Sequence, residues 1–175
     1  MSAGLTLPAQ IGRALGPVLR LVGPVLDDSV VQSGDRHAPV VVCPARPDAV
    51  RRRVAASCAV YVAWDSRRRC RYVGSVCRQG SGAVGDRLAE HYAHPTTGAA
   101  RRGAWLLLTV LPLADLSALE VVRSTEGWTA RLLNPLDGSA HPRVDLAQTP
   151  AALALDASRQ AQFGPAGAVP DAGTA

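Results

Sequence analysis

Two short β-like segments with a polar stretch between them constrain the fold of this chain more than any other feature. Residues 58–64 and 70–76 are rich in Val and aromatic side chains, which is typical of strands. The intervening residues 65–69 are polar and have the composition of a turn. Two strands so close in sequence predict an antiparallel hairpin.

The register of this hairpin decides which side chains share a face of the sheet. With Ser66 and Arg67 as the two loop residues of a tight turn, Tyr61 lies directly opposite Tyr72, and both phenols lie on one face. Gly74 follows Tyr72 by two residues, so it lies on the same face and leaves room there for a ligand. The alternation places three valines on the opposite, core-facing side: Val60, Val62 and Val73.

The segments that follow extend the hairpin into a mixed fold. Helical spacing predicts a helix at 83–94, and the apolar run at 104–111 predicts a buried strand that ends at Pro112. Residues 114–133 are helical in composition, either as two helices or as one that is broken near Gly127. We therefore expect an α/β (α+β) fold with a small three-stranded antiparallel sheet flanked by helices, in the order β-β-α-β-α(-α).

Composition divides the 175 residues into three sections. Residues 58–138 are expected to form the main domain. Residues 1–57 form an N-terminal arm in which prolines limit any helix to short pieces and residues 39–43 are a possible strand; packing on the main domain and a partner-binding role are both open. Residues 139–175 are an extension that turns rich in Ala, Gly and Pro, and we expect most of it to be a disordered tail.

The charge of the chain is strongly segregated. All nineteen basic residues are arginines, and residues 51–102 hold eleven of them against three acids, a local net charge of +8. The rest of the chain holds eight arginines and eleven acids. Such a concentration of positive charge is typical of polyanion binding, although a solvated basic face has the same composition.

Four arginines lie at or beside the predicted hairpin turn: Arg67, Arg68, Arg69 and Arg71. On a protruding turn they favour contact with a nucleic-acid backbone, which is independent of base sequence and sensitive to salt. The chain contains no zinc-finger, recognition-helix or RNA-binding signature, so base-specific contacts are not expected. A merely solvated turn is the alternative.

The cysteines and the apolar runs point to a reducing, aqueous compartment. The four cysteines include no C-x-x-C pair, which disfavours a zinc ribbon or a thioredoxin-like site. The N-terminal residues lack the pattern of a secretion signal, and no apolar run approaches the ~20 residues of a membrane span. We expect a cytoplasmic protein with reduced thiols and no membrane contact; the sequence carries no signal for its oligomeric state.

Two tripeptides on the hairpin strands and three charged or titratable residues after them form a recognisable pattern. The tripeptides at 59–61 (Ala-Val-Tyr) and 72–74 (Tyr-Val-Gly) stand on its two strands. Arg87 and His91 follow four residues apart, hence on one face of the next helix. Glu126 belongs to a later helical stretch.

This pattern resembles the GIY-YIG nuclease superfamily over about residues 58–138. The name describes two tripeptides on adjacent hairpin strands, and members also carry an arginine, a His or Tyr four residues later, and a glutamate some nine residues before a proline. Glu126 precedes Pro135 by nine residues. Two positions depart from the pattern. Ala59 replaces the first glycine, and Asp137-Gly138 stands where many members have an asparagine.

The resemblance implies a hydrolase, a metal-dependent DNA endonuclease that uses Mg²⁺ or Mn²⁺. Glu126 would hold the metal ion, and Arg87 would clamp the scissile phosphate. Tyr61 is the candidate general base, while Tyr72 would orient the water or the phosphate. His91 would either relay a proton or hydrogen-bond a tyrosine.

Each of these residues also has a plainer interpretation. Arg87 can pair with Glu90, the tyrosines can be an ordinary cross-strand pair, and His91 can be a half-buried histidine. Glu126 can form a surface salt bridge with Arg123 or Arg131, and Glu120 is the rival metal ligand. A non-catalytic nucleic-acid-binding or interaction module with the same fold is therefore the alternative to the endonuclease.

Overall fold

A computed structural model describes residues 7–27, 40–114, 117–138 and 140–163 of the chain. Within these ranges, a four-stranded antiparallel sheet is flanked by six α-helices. The strands are β1 Val41–Pro44, β2 Cys58–Trp64, β3 Cys70–Cys77 and β4 Leu107–Leu113. The helices are α1 Ala9–Val22, α2 Pro47–Arg53, α3 Ala83–Ala93, α4 Gly98–Ala104, α5 Leu119–Leu133 and α6 Pro150–Phe163, with a 3₁₀ turn at Gly23–Val25.

The mixed fold class is confirmed, but the prediction of three strands is wrong. The strand order is β1-β4-β2-β3, so β1 adds a fourth strand beside β4. This strand overlaps the possible strand at 39–43, of which residue 39 lies outside the described residues. β1 belongs to the sheet because its residues fill both cores: Cys43 packs on one face and Val42 on the other.

Both faces of the sheet are covered, and β2 is buried along its whole length. One core lies between the sheet and helices α2 and α3, and it contains Tyr61. The other core lies between the sheet and helices α1 and α5, and it contains the predicted core valines Val60, Val62 and Val73. The two hairpin faces therefore separate the tyrosine side from the valine side as predicted.

The predicted register of the hairpin is wrong by two residues. Tyr61 lies opposite Gly74, and Tyr72 lies opposite Ala63. Because side chains alternate with a period of two, a shift of two residues leaves every side chain on its predicted face. Tyr61 and Tyr72 therefore remain neighbours, with ring centroids 6.3 Å apart.

The register differs because the turn is wider than a two-residue loop. The backbone N–H of Asp65 donates to the carbonyl of Arg69, and Arg68 adopts a left-handed conformation with φ of 61°. The pairing is also irregular between Ala63 and Trp64. The Asp65 side chain accepts hydrogen bonds from the backbone N–H groups of Arg67 and Arg69, which stabilises this five-residue turn.

The shifted register also explains a disulfide. Cys58 lies opposite Cys77, with Cα atoms 4.0 Å apart, and the two residues form a disulfide bond. In the predicted tight-turn register, Cys58 would instead face Ser75. The prediction of reduced thiols is therefore wrong for this pair, while Cys43 and Cys70 are free and buried.

Prolines and glycines interrupt the elements less than predicted. Helix α1 continues through Pro17 because its buried stripe packs on the sheet: Ile11, Leu15, Val18 and Val22. Strand β4 continues through Pro112. The four residue pairs between β4 and β1 end at Val110, so no β1 residue lies opposite Pro112 and the missing N–H of the proline leaves no β1 carbonyl without its donor.

Three helices were not predicted, and a fourth was predicted to be divided or broken. Helices α2 and α4 are short and lie between the predicted elements. Residues 150–163 form helix α6 where a disordered tail was expected, while 164–175 lie outside the described residues. Helix α5 is one unbroken helix through Gly127, and a Cβ at this position would lie 2.7 Å from the carbonyl oxygen of Pro142. This glycine permits close approach of the following loop and does not break the helix.

Within the described residues, none of the helices has the length and apolarity needed to cross a membrane.

Candidate functional site

The two tyrosines form one wall of the site. Tyr61 on β2 is 1% exposed, and Tyr72 on the edge strand β3 is half-buried. Gly74 lies under both rings: a Cβ at this position would lie 2.6 Å from Tyr61 Oη and 2.7 Å from Tyr72 Cε1. The space beside Gly74 is therefore filled by the tyrosine rings, and the prediction that it receives a ligand is wrong.

Helix α3 places Arg87 over the tyrosine side of the sheet. Arg87 lies one turn before His91 and donates a hydrogen bond of 2.7 Å to Glu90. Glu90 also accepts one from Arg78, and these two bonds lower its pKa to about 2. Arg87 therefore does pair with Glu90, which was its plainer interpretation. Its side chain is nevertheless 42% exposed and lines the pocket beside Tyr61.

His91 lies behind Tyr61. Its Nε2 is 2.7 Å from Tyr61 Oη, and its Nδ1 is 3.1 Å from a terminal nitrogen of Arg101. Burial and the nearby charges of Arg87 and Arg101 lower the pKa of His91 to about 4. The imidazole is therefore neutral at pH 7. It contacts a tyrosine, which is the contact that the second predicted role, a hydrogen bond to a tyrosine, requires.

Both phenols of the site are protonated at neutral pH. Burial raises the pKa of Tyr61 strongly, the neighbouring Tyr72 adds to this effect, and Arg87 opposes it. Burial also raises the pKa of Tyr72, with a further contribution from Glu126. A role for Tyr61 as general base therefore requires an additional cation near its oxygen.

Glu126 projects from helix α5 toward the edge strand β3. Its side chain is only 14% exposed, and its Oε2 accepts a 2.6 Å hydrogen bond from Ser75 Oγ. Among the described residues it forms no salt bridge with Arg123 or Arg131, so this plainer interpretation is not realised. The rival Glu120, six residues earlier on the helix, is exposed and is not part of the pocket.

His141 is a neighbour of Glu126 that sequence reasoning missed. Its Nδ1 lies 3.9 Å from Glu126 Oε1, and both ring nitrogens are buried without a hydrogen-bond partner in the described part of the chain. The loop that carries it packs on helix α5 at Gly127. The only sequence signal was a histidine fifteen residues after Glu126, in the extension that was expected to be mostly a disordered tail.

An open pocket of about 500 Å³ joins these elements. It is lined by Tyr61, Tyr72, Ser75, Arg87, Leu119, Arg123, Glu126, Ala140, His141 and Pro142. Four of the five predicted catalytic residues therefore share one pocket, and the fifth, His91, supports one of them from behind. Because Tyr72 and Ser75 lie on opposite faces of β3, the pocket wraps around this edge strand.

Few protein side chains in the pocket can bind a metal ion. Within the described ranges, no group of three or more His, Cys, Asp or Glu side chains is arranged to hold one. Glu126 is the carboxylate that lines the pocket, and Ser75 orients it. This set of oxygen donors fits a hard cation such as Mg²⁺ that keeps most of its waters and shares oxygens with a phosphate.

The four predicted DNA-binding arginines differ in their surroundings. Arg67 and Arg69 are exposed at the turn and Arg68 is half-buried, while Arg69 also forms a 2.9 Å ion pair with Asp65. Arg71 instead lies along β3 and forms a two-pronged contact with Asp137, at 2.6 and 2.9 Å. Three arginines therefore remain at the tip of the turn, and the fourth has a structural partner.

Asp137, which stands where many GIY-YIG nucleases have an asparagine, pairs with the edge strand β3. The backbone N–H groups of Leu136 and Asp137 donate to the carbonyls of Cys70 and Arg71 on β3. The Asp137 carboxylate binds Arg71 and also accepts a 3.3 Å hydrogen bond from the indole of Trp105. Asp137 thus closes the free edge of β3 and is not part of the pocket wall.

The chain matches no protein-family model, no curated protein and no solved structure.

Proposed function

We propose that this protein is a metal-dependent DNA endonuclease of the GIY-YIG type, a hydrolase that acts on phosphodiester bonds. One observation carries the proposal. A single pocket collects two tyrosines, an arginine and a glutamate from four different elements: Tyr61, Tyr72, Arg87 and Glu126. Together these groups can supply what phosphodiester hydrolysis requires, which is charge stabilisation on the phosphate, an oriented water and help for the leaving oxygen.

The roles follow from the contacts. Arg87 retains guanidinium donors besides the one that Glu90 accepts, and these can bind a phosphate oxygen. Glu126, held by Ser75, would bind Mg²⁺ or Mn²⁺. The ion, when bound, supplies positive charge at the phosphate and at an attacking water. Tyr72 is placed to orient that water or the phosphate, and Tyr61 is the candidate to accept its proton.

The surface around the pocket suits a DNA backbone. The exposed turn arginines Arg67 and Arg69 and the half-buried Arg68 carry positive charge on the hairpin whose strands hold the tyrosines. Contacts of this kind bind phosphates without reading bases, so we expect affinity that falls steeply with salt and depends weakly on sequence.

A non-catalytic DNA-binding module with this fold is the second candidate. It is favoured by the state of the pocket residues, since Arg87 is partly neutralised by Glu90 and burial raises the pKa of both tyrosines. Such a module would keep the arginine surface and bind DNA without cleaving it.

A plasmid-nicking assay with and without divalent metal separates the two candidates. The wild-type protein should nick DNA only with Mg²⁺ or Mn²⁺. Glu126→Gln should lower cleavage by orders of magnitude and leave DNA affinity unchanged or raised, because the substitution removes the ligand charge and keeps the shape. Glu120→Gln is the matched control, since this glutamate is exposed on the same helix and should cleave normally.

Two results would overturn the assignment. Equal cleavage by wild type and Glu126→Gln would remove Glu126 from the site. A wild-type protein that binds DNA and cleaves none, with either metal, would favour the binding module.

A further inference from the structure

We infer that Arg101 is a positioning residue that fixes the tautomer of His91, so that His91 donates a hydrogen bond to Tyr61 and cannot take its proton. The catalytic consequence of this inference rests on the proposed function. The positioning itself does not, because it concerns three side chains of the protein without a substrate.

The chemistry of the guanidinium determines the tautomer of His91. A nitrogen of Arg101 lies 3.1 Å from His91 Nδ1. An arginine has five N–H donors and no acceptor, and it stays protonated at all pH values of interest. Nδ1 must therefore be the acceptor, so in the neutral imidazole the ring proton lies on Nε2.

The proton on Nε2 determines the second contact. Nε2 is 2.7 Å from Tyr61 Oη, so His91 donates and the phenol oxygen accepts. The hydrogen of Tyr61 then points away from His91, and Tyr61 also lines the pocket. Of the two roles considered for His91, a proton relay from Tyr61 is incompatible with this arrangement. A hydrogen bond that stabilises the phenolate form of Tyr61, which is the form able to accept a proton from water, is compatible with it.

Arg101 is held in place by aromatic packing. The residue belongs to the short helix α4, and its guanidinium carbon lies 5.7 Å from the ring centroids of both Tyr72 and Trp105. These two rings stack on each other with centroids 5.1 Å apart. The guanidinium is therefore half-buried against the aromatic wall of the site.

The neighbours of His91 favour its neutral form. The charged groups near it are Arg87 and Glu90 from α3 and Arg101 from α4. The other titratable neighbours are His94 after α3, Tyr61 on β2 and Tyr72 on β3. Burial and the two arginines disfavour a second proton more than Glu90 favours one. Arg101 thus adds to the effect of burial and Arg87 that keeps the ring neutral, and it selects which nitrogen carries the proton.

Long-range ¹H–¹⁵N NMR of the imidazoles tests the inference on purified protein without DNA. His91→Gln identifies the His91 signals. At pH 7 the wild type should show a protonated Nε2 and an unprotonated Nδ1. Arg101→Leu should shift His91 toward the other tautomer, while Arg101→Lys, which keeps a donor-only group, should preserve the wild-type pattern. Arg102→Leu removes the same charge from the same helix, and should also preserve it.

The outcomes decide the inference separately from the nuclease function. A wild-type His91 with its proton on Nδ1, or an Arg101→Leu spectrum identical to wild type, overturns it. If Arg101→Leu fails to fold, the other two spectra still test the inference. A protonated Nε2 in both the wild type and Arg101→Lys supports it, and a protonated Nδ1 in either overturns it. In cleavage assays, Arg101→Leu should lower the rate by about tenfold at neutral pH and Arg101→Lys by less. The expected spectra in a protein that never cleaves DNA would sustain the positioning role and refute the nuclease.

Discussion

Ser75 on the edge strand β3 donates a 2.6 Å hydrogen bond to Glu126 on helix α5. This bond fixes a mostly buried carboxylate at the point where helix and sheet edge meet. Its Oε2 is occupied by Ser75, and its Oε1 faces His141. The orientation of the proposed metal ligand therefore depends on a residue that directly follows the second tripeptide in sequence.

Ser75→Ala should weaken metal use without unfolding the protein. The substitution leaves the carboxylate in place and removes the donor that orients it, and loss of such a supporting contact typically lowers metal affinity ~10–100-fold. We expect the Mg²⁺ concentration for half-maximal DNA cleavage to rise in that range. Ser66→Ala on the exposed turn is the control. An unchanged metal dependence in Ser75→Ala would contradict the proposed ligand.

Gly74→Ala should destabilise the fold and disturb both tyrosines. The added Cβ would lie within 2.8 Å of the Tyr61 and Tyr72 rings, which are packed and cannot both move freely. We expect the free energy of unfolding in urea to fall by about 1–3 kcal/mol. Gly103→Ala is the control, because a Cβ there meets nothing within 4 Å, and in a helix it should be neutral or slightly stabilising. Equal stabilities of the two variants would contradict the packing described for Gly74.

The pH dependence of stability should carry the signature of His91. Its pKa is about 4 in the folded protein against an ordinary value of 6.5, so between these values the unfolded chain binds more protons. The contribution of His91 to stability is therefore fully present above pH 6.5 and is lost as pH falls toward 4. Urea unfolding across this range should show a shallower slope for His91→Gln than for wild type, and identical slopes would show that His91 titrates normally.

The turn arginines should determine how DNA affinity responds to salt. Replacing Arg67, Arg68 and Arg69 by Ala should weaken binding and reduce the slope of log affinity against log salt by up to about three contacts. Because Arg69 also pairs with Asp65, we expect it to contribute less than Arg67. Fluorescence anisotropy with a labelled duplex at several salt concentrations measures this slope. An unchanged slope would remove the turn from the interface.

Arg71→Ala should behave differently from the turn variants. Removal of its guanidinium leaves the Asp137 carboxylate without its two-pronged partner at the edge of β3. We expect a loss of about 1 kcal/mol in unfolding free energy and little change in the salt slope of DNA binding. A reduced slope with full stability would instead assign Arg71 to the DNA surface, as the sequence first suggested.

Several features of the site were predictable because they depend on local periodicity. Arg87 and His91 share a helix face through their spacing of four residues, and Tyr61 and Tyr72 share a sheet face through alternation. The face assignment survived an incorrect register, because the error was an even number of residues.

The sequence by itself determined the hairpin, the face on which its tyrosines lie, and the helix that carries Arg87 and His91. The tertiary structure decided the register, the fourth strand, the Cys58–Cys77 pairing and the partners of Glu126 and Arg71. The division has a physical reason. Periodicity is a property of the local chain, whereas turn width and contacts between residues distant in sequence are selected only when whole elements pack and compete for the same buried volume.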